Sequence, residues 1–203
     1  MIRTVNETGR ACLLALSGLL SSHAASGADA LGQYGVRGAG LVSCAVYERE
    51  RQARSSVYHV IAGWMDGYIT GSNQHAPETY DVTSFESTEM LAAVISENCK
   101  QHPDTTVFAV LRSLLEQASE DRLQAPSEKV TVNAGERSVL IYREVLKRVQ
   151  TRLADSGLYK GPTDGNFDDA TRAALERFQA SSQLQATGFP DQVTLWRLLK
   201  SAD

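Results

Sequence analysis

The sequence predicts an all-α protein built from two small helical domains. Three observations carry this prediction. Apolar residues recur at helical spacing along most of the chain after residue 42. A polar stretch from Arg122 to Glu136, which contains Pro126 and Gly135, interrupts that pattern. The length of 203 residues and the ordinary composition, 42% hydrophobic and 22% charged, suit a globular protein of one medium or two small domains.

Residues 1–30 have the features of an export signal. Arg3 and Arg10 precede an apolar run from Ala11 to Leu20, and small residues follow it. We expect cleavage between Ala25 and Ala30, with an uncleaved anchor helix as the alternative. The run is about half of the ~20 residues that a helix needs to cross a bilayer. We therefore expect no membrane span in the mature chain, and a periplasmic location.

The cysteine count predicts one disulfide. Removal of the signal removes Cys12 and leaves Cys44 and Cys99, an even number in a chain bound for an oxidising compartment. Closing the loop between them stabilises the fold by about 4 kcal/mol in the chain-entropy treatment. The segment ending at Cys44 resembles a lipoprotein acylation motif, but the residues before it are polar and glycine-rich, so we expect no lipidation.

The first domain is predicted at 31–121 and contains three helical patterns. One long helix or two abutting helices should cover Val42 to Ile69. A second helix, capped by Ser87 or Thr88, should reach Cys99. A third should carry Pro103 in its first turn and fade after Gln117.

The second domain is predicted at 137–203, after a linker at 122–136 in which a short strand at Val130 to Val132 is possible. Its first helix carries an apolar stripe from Tyr142 to Leu153 and should end at Gly157 in a left-handed conformation. Further helices are predicted over Asp169 to Ala180 and over Gln192 to Lys200.

The second domain also carries an ordered set of residues that resembles the three-helix peptidoglycan-binding domain family. The residues are Val149, Gln150, Leu153, Gly157, Tyr159, Gly161, Asp164, Gly165, Phe167, Thr171, Ala174, Leu175, Phe178, Gln179, Leu184, Thr187, Gly188, Asp191, Thr194 and Leu195. The resemblance implies non-covalent, non-catalytic attachment to peptidoglycan. Candidate contacts are the polar side chains of Asp164, Thr171, Arg177 and Gln179, each of which also has a structural alternative as turn former, cap, solvated charge or inter-helix hydrogen bond.

The first domain has few residues in the patterns typical of catalytic or metal sites. His59, His75 and His102 lack metal-ligand spacing, and both cysteines are assigned to the disulfide, so we expect no metal, no cofactor and no enzyme. The alternative is a murein hydrolase whose N-terminal domain is catalytic through Glu48, Glu50 or Asp66.

Residues in the first domain resemble the HdeA-type and Rap1a/Tai-type periplasmic disulfide domains. They are Cys44, Trp64, Gly67, Tyr68, Gly71, Asn73, Asn98, Cys99, Pro103 and Ala109. The resemblance implies a protein partner, contacted by Trp64, Tyr68 and Asn73, or an inhibitor or immunity role against an envelope toxin. Glycines at 63, 67 and 71 mark one helix face that allows close approach, either within the domain or to a partner.

The charge distribution excludes nucleic acid as a partner. The net charge is −4, with 8 basic and 14 acidic residues over 31–136 (8 − 14 = −6) and 10 basic and 8 acidic over 137–203 (10 − 8 = +2). Neither half has the basic excess that nucleic-acid binding requires. The sequence therefore predicts an exported envelope protein that binds peptidoglycan and a protein partner.

Overall fold

The structure, a computed structural model, describes residues 28–200. Seven α-helices and one two-stranded sheet occur in that range: α1 Cys44–Gln52, α2 Ser56–His75, α3 Thr88–Gln101, α4 Val107–Ala118, β1 Lys129–Ala134, β2 Arg137–Tyr142, α5 Arg143–Asp155, α6 Asp169–Ser181 and α7 Gln192–Lys200. The predicted helical class is confirmed, with one hairpin added. The predicted signal peptide lies outside the described residues apart from 28–30. Of the described residues, 28–34 belong to a separate unit, and residues 35–200 belong to one compact unit.

Hydroxyl side chains begin the four helices of the N-terminal half, which we define as residues 35–128. Each accepts a hydrogen bond from a backbone N–H in the first turn and so pairs a donor that the helix leaves free. The caps are Ser43, Ser55, Ser87 and Thr106. Of the two alternatives for 42–69, two abutting helices are observed, separated where Arg54 adopts a φ of 46°.

The third helix starts later than predicted. Pro103 precedes α4 instead of standing in its first turn, because the segment around it pairs with the start of α1. The Pro103 carbonyl accepts from Ala45 N at 2.9 Å, and the Thr105 carbonyl accepts from Cys44 N at 2.7 Å. These bonds hold 103–105 as a turn, so the helix begins only after the Thr106 cap.

The predicted Cys44–Cys99 disulfide is confirmed. It joins the first residue of α1 to the end of α3, with the two Cα atoms 4.8 Å apart and 55 positions between them in the sequence. Beside it, the fully buried Tyr47 donates from its hydroxyl to the Ala92 carbonyl at 2.7 Å. A core that includes Ile61, Met65, Ile95 and Leu111 surrounds both links.

The hairpin opens the C-terminal half, which we define as residues 129–200. β1 and β2 pair antiparallel, with Ala134 opposite Arg137 at the turn and Lys129 opposite Tyr142 at the open end. Val132 and Ile141 are buried in the same core as the helices that follow. β1 thus lies inside the stretch predicted as a linker and extends the short strand considered there.

The three helices of the C-terminal half lie close to their predicted bounds. α5 starts at Arg143, one residue after β2, and Gly157 beyond its end has the expected left-handed conformation with φ 71°. Asp168 caps α6, and Asp191 Oδ1 accepts a hydrogen bond from Thr194 N at the start of α7. The helices pack around a second core, which includes Val149, Leu153, Leu175 and Leu195.

The two halves contact each other directly. Phe85, from the loop between α2 and α3, packs in the C-terminal core. The Gln192 side chain bonds that loop twice: its Nε2 donates to the Phe85 carbonyl and its Oε1 accepts from Ser87 N, both at 2.8 Å. The division into domains at 31–121 and 137–203 stays a prediction, to which the structure adds this shared boundary.

An ionic cluster lies at the same boundary. Lys200 Nζ is 2.9 Å from Asp121 Oδ2 and 3.5 Å from Glu86 Oε1, and the Glu86 side chain is only 3% exposed. Burial raises the pKa of Glu86, and the Lys200 ammonium acts against that shift. Arg148 donates to the carbonyls of Asp121 and Arg122, so α5 is tied to the same segment.

Removing the disulfide should lower the stability of the N-terminal half. For the C44A/C99A double variant we expect the free energy of unfolding in urea to fall by up to about 4 kcal/mol, because the unfolded chain regains the entropy of the open loop. The matched control is native protein whose disulfide has been reduced chemically. Equal stability of native and double variant contradicts the prediction.

Glu86 should make stability depend on pH in a defined direction. A carboxyl whose folded pKa is raised contributes most below its unfolded pKa, and that contribution is lost as the pH rises through the folded pKa. We expect the unfolding free energy of the native protein, minus that of Glu86→Gln, to fall as the pH rises above about 4, the ordinary range of a glutamate pKa. Urea titrations at a series of pH values measure this difference. A difference that grows with pH would mean that the Lys200 pairing outweighs burial.

Candidate functional site

The loop between α5 and α6 is organised by one buried glutamine. Gln150 is fully buried on α5. Its Nε2 donates to the Asn166 carbonyl at 2.8 Å and to Thr171 Oγ1 at 3.1 Å, and its Oε1 accepts from Gly165 N at 2.8 Å. A single carboxamide thus connects α5, the turn of the loop and the first turn of α6.

The loop between α6 and α7 repeats this arrangement around Gln179. Gln179 is also fully buried, and its Nε2 donates to the Phe189 carbonyl at 2.9 Å and to Thr194 Oγ1 at 3.0 Å. Its Oε1 accepts from Thr187 N at 2.9 Å and from Gly188 N at 2.8 Å. Each glutamine therefore bonds a threonine in the first turn of the next helix and a glycine in the loop before it.

The backbone conformation and the close neighbours at both loop positions require glycine. Gly165 has φ 78° and Gly188 has φ 63°, a region that favours glycine. A Cβ at Gly165 would lie 2.5 Å from the Arg143 carbonyl oxygen, and one at Gly188 would lie 2.6 Å from Arg172 Cγ. The two loops are therefore rigid and close to the helices on which they lie.

The four predicted contact residues divide into two buried and two exposed side chains. Thr171 and Gln179 are fully buried, and their hydrogen bonds hold the two loops. Asp164 and Arg177 are exposed. Of this set, the structure therefore leaves only Asp164 and Arg177 directly available to a ligand.

Each exposed candidate is oriented by one backbone contact. Asp164 Oδ1 accepts from Asn166 N at 2.9 Å, and this bond holds the pKa of Asp164 below its ordinary value. Arg177 Nη2 donates to the Leu158 carbonyl at 2.7 Å. Asp164 thus presents an ionised carboxylate at neutral pH, and Arg177 presents a guanidinium with further free donor capacity.

The helices and loops just described are the part of the chain that a known family covers. Residues 143–198 match the family model described as "Putative peptidoglycan binding domain". This match confirms the predicted C-terminal resemblance and supports peptidoglycan binding by the C-terminal region. It also supports a cell-wall-associated location. No curated protein and no solved structure matched the chain.

Within residues 28–200 the helices are too short or too polar to cross a membrane. The same residues include no group of three or more histidine, cysteine, aspartate or glutamate side chains placed to hold a metal ion.

The three predicted partner-facing residues take part in contacts of the N-terminal half. The Trp64 ring stacks on Tyr68 with centroids 5.5 Å apart, and its Nε1 donates to the Arg37 carbonyl at 2.9 Å. A Cβ at Gly40 would lie 2.2 Å from the Trp64 ring, so only glycine fits beneath it. Asn73 Oδ1 accepts from Val82 N at 2.9 Å. Both rings are half-buried, and their contact with a partner stays a prediction.

The acids considered for a hydrolase have three different hydrogen-bond environments. Ser55 and Arg49 donate hydrogen bonds to Glu50, and these bonds lower its pKa. Glu48 has one buried carboxylate oxygen without a hydrogen-bond partner. Asp66 is exposed on α2 and accepts from Thr88 Oγ1 at 2.6 Å.

Replacing the Gln179 carboxamide should destabilise the C-terminal half. In Gln179→Leu the backbone groups of Thr187, Gly188 and Phe189 lose their buried partner, and we expect a loss on the order of 3 kcal/mol in the free energy of unfolding. Gln185→Leu, an exposed position in the same loop, is the matched control and should change stability by less than about 0.5 kcal/mol. Equal effects of the two substitutions contradict the assigned role.

Proposed function

We propose that this is an exported envelope protein that is held at peptidoglycan by its C-terminal half and engages a protein partner through its N-terminal half. The family match over residues 143–198 carries the proposal. Its role is binding and localisation without catalysis. The sequence features of an export signal and the Cys44–Cys99 disulfide support a periplasmic location, because disulfides persist in oxidising compartments.

Rigid loops and exposed polar groups support wall attachment by the C-terminal half. The loops fixed by Gln150 and Gln179 present Asp164 and Arg177 without a large ordering cost on binding. Peptidoglycan offers amide, hydroxyl, carboxylate and amine groups, and these two side chains supply one acceptor and one donor of opposite charge.

The open face of α2 supports a protein partner for the N-terminal half. Val60 is 64% exposed. Cβ atoms built at Gly63, Gly67 and Gly71 meet nothing within 4 Å, so the glycine stripe is not used for packing within the described residues. Small and apolar side chains on one helix face allow another protein backbone to approach closely.

Sedimentation with purified sacculi tests wall attachment. The native protein should pellet with insoluble peptidoglycan. The D164A/R177A double variant should pellet at least tenfold less efficiently, since each side chain contributes a charged hydrogen bond worth about 1.5–3 kcal/mol. The matched control is D104A/K100A on the N-terminal half, which changes an exposed acid and an exposed base and should pellet like the native protein.

The same experiment separates the parts of the proposal. Native protein that remains entirely in the supernatant contradicts wall attachment. Solubilised muropeptides released during incubation contradict the non-catalytic role. Sacculi already loaded with native protein should retain a second envelope protein from an extract, and loading with Val60→Asp should abolish that retention. A second protein retained equally by both contradicts the role of the α2 face.

A further inference from the structure

A groove of about 590 Å³ lies at the boundary between the two halves. α2 and the 81–88 loop line it from the N-terminal half, and β2 with the start of α7 lines it from the C-terminal half. The residues used below are Asp66, Thr70, Asp81, Leu140, Tyr142 and Gln192, all of which line the groove.

The groove exists before any ligand binds, because its walls are bonded together. The two hydrogen bonds of Gln192 fix the start of α7 to the 85–87 segment. At its N-terminal end the 81–88 loop is held by Asn73, whose Oδ1 accepts from Val82 N. A ligand would therefore enter a formed site and would not have to order these segments.

The charged groups of the groove favour a cation. Asp66 is bonded to the Thr88 hydroxyl, and Asp81 Oδ1 accepts from Thr83 N at 3.1 Å. Neither carboxylate forms an ion pair with a lysine, arginine or histidine of residues 28–200. The lining lysine, Lys129, has its Nζ over the Tyr142 ring, 4.6 Å from the centroid. Asp81 is also engaged by Asn73 Nδ2 and by the Tyr142 hydroxyl, so Asp66 is the carboxylate that keeps acceptor capacity for an amine.

The edge of β2 adds backbone groups suited to a peptide. Ala134 and Arg137 close a two-residue turn, so the Leu140–Thr131 pair falls at a position where strand backbones do not bond each other. The Leu140 N–H and C=O therefore point away from β1, and no described residue bonds them. The Leu140 side chain is 62% exposed. This edge matches an extended peptide backbone.

We infer that the groove binds the stem peptide of peptidoglycan, with the free amine of its diamino acid at Asp66 and its amide groups along the β2 edge at Leu140. The inference rests on the proposed function and specifies its ligand. The glycan strand has no amine cation to match the carboxylates. The groove is continuous with the region that matches the peptidoglycan-binding family, since Gln192 belongs to both.

Calorimetric titration of the full chain with a purified disaccharide-tetrapeptide tests the inference. Asp66→Asn keeps the acceptor for Thr88 and removes only the charge, and it should weaken binding about tenfold. Thr70→Trp should abolish binding by filling the groove at an exposed α2 position. Asp104→Asn, an exposed acid just after α3, is the charge-matched control and should bind like the native protein.

Chemical acetylation of the ligand amine identifies the contacted group. The acetylated muropeptide should bind the native protein about tenfold more weakly, and Asp66→Asn should not distinguish it from the free amine. Equal binding of both ligands by the native protein overturns the inference. So does equal binding of the peptide-free disaccharide, or binding of an unrelated extended peptide in place of the muropeptide.

Sedimentation with sacculi distinguishes a failure of the groove assignment from a failure of the proposed function. If native protein pellets with sacculi but Asp66→Asn and Thr70→Trp bind the muropeptide like the native protein, the groove assignment is overturned and wall attachment stands. If native protein does not pellet with sacculi, the proposed function and the inference both fall.

Discussion

The fold depends on pairing the backbone groups of its long connections, and four buried or half-buried carboxamides pair several groups that no other backbone group of residues 28–200 reaches. Asn73, Gln150, Gln179 and Gln192 each accept a backbone N–H from a loop, and the three glutamines also donate to a loop carbonyl. A carboxamide suits this task because it carries both donors and acceptors without a charge to desolvate. Helix packing alone would leave these groups unpaired at a cost of about 1–3 kcal/mol each. The loops, the boundary between the halves and the groove all follow from these four side chains.

Helical periodicity was sufficient to predict most of the fold. A stripe of apolar residues determines which face of a helix is buried, so helix type and approximate bounds follow from local sequence. The hairpin was largely missed because its apolar residues, Val130 and Val132 on one strand and Val139 and Ile141 on the other, alternate over segments too short to stand out from turns and helices. That alternation around Gly135 was the available signal. The late start of α4 depends on bonds to the beginning of α1, and the local sequence does not predict such long-range pairing.

The site was harder to predict because a polar residue type does not reveal its burial. Thr171 and Gln179 were selected as ligand contacts for their hydroxyl and amide groups, but in this fold the same groups satisfy the backbone of two loops. For a similar reason, glycine spacing alone does not show whether a helix face packs closely or faces open space. The stripe that includes Gly67 faces open space, whereas Gly40, which no periodic pattern marks, lies directly beneath the Trp64 ring. Only the three-dimensional neighbours decide which small residue is needed for close packing.

The boundary between the halves constrains how their functions combine. Glu86 and Asp121 on one side share Lys200 on the other, and Phe85 belongs to the C-terminal core although it precedes α3 in sequence. A motion that separated the halves would expose Phe85 to water and break the two Gln192 hydrogen bonds, and both changes cost free energy. The groove walls therefore keep a fixed spacing. In the binding mode inferred for the groove, a ligand that bridges Asp66 on α2 and Leu140 on β2 depends on that spacing, so we propose that the N-terminal half contributes to peptidoglycan recognition in addition to binding a protein partner.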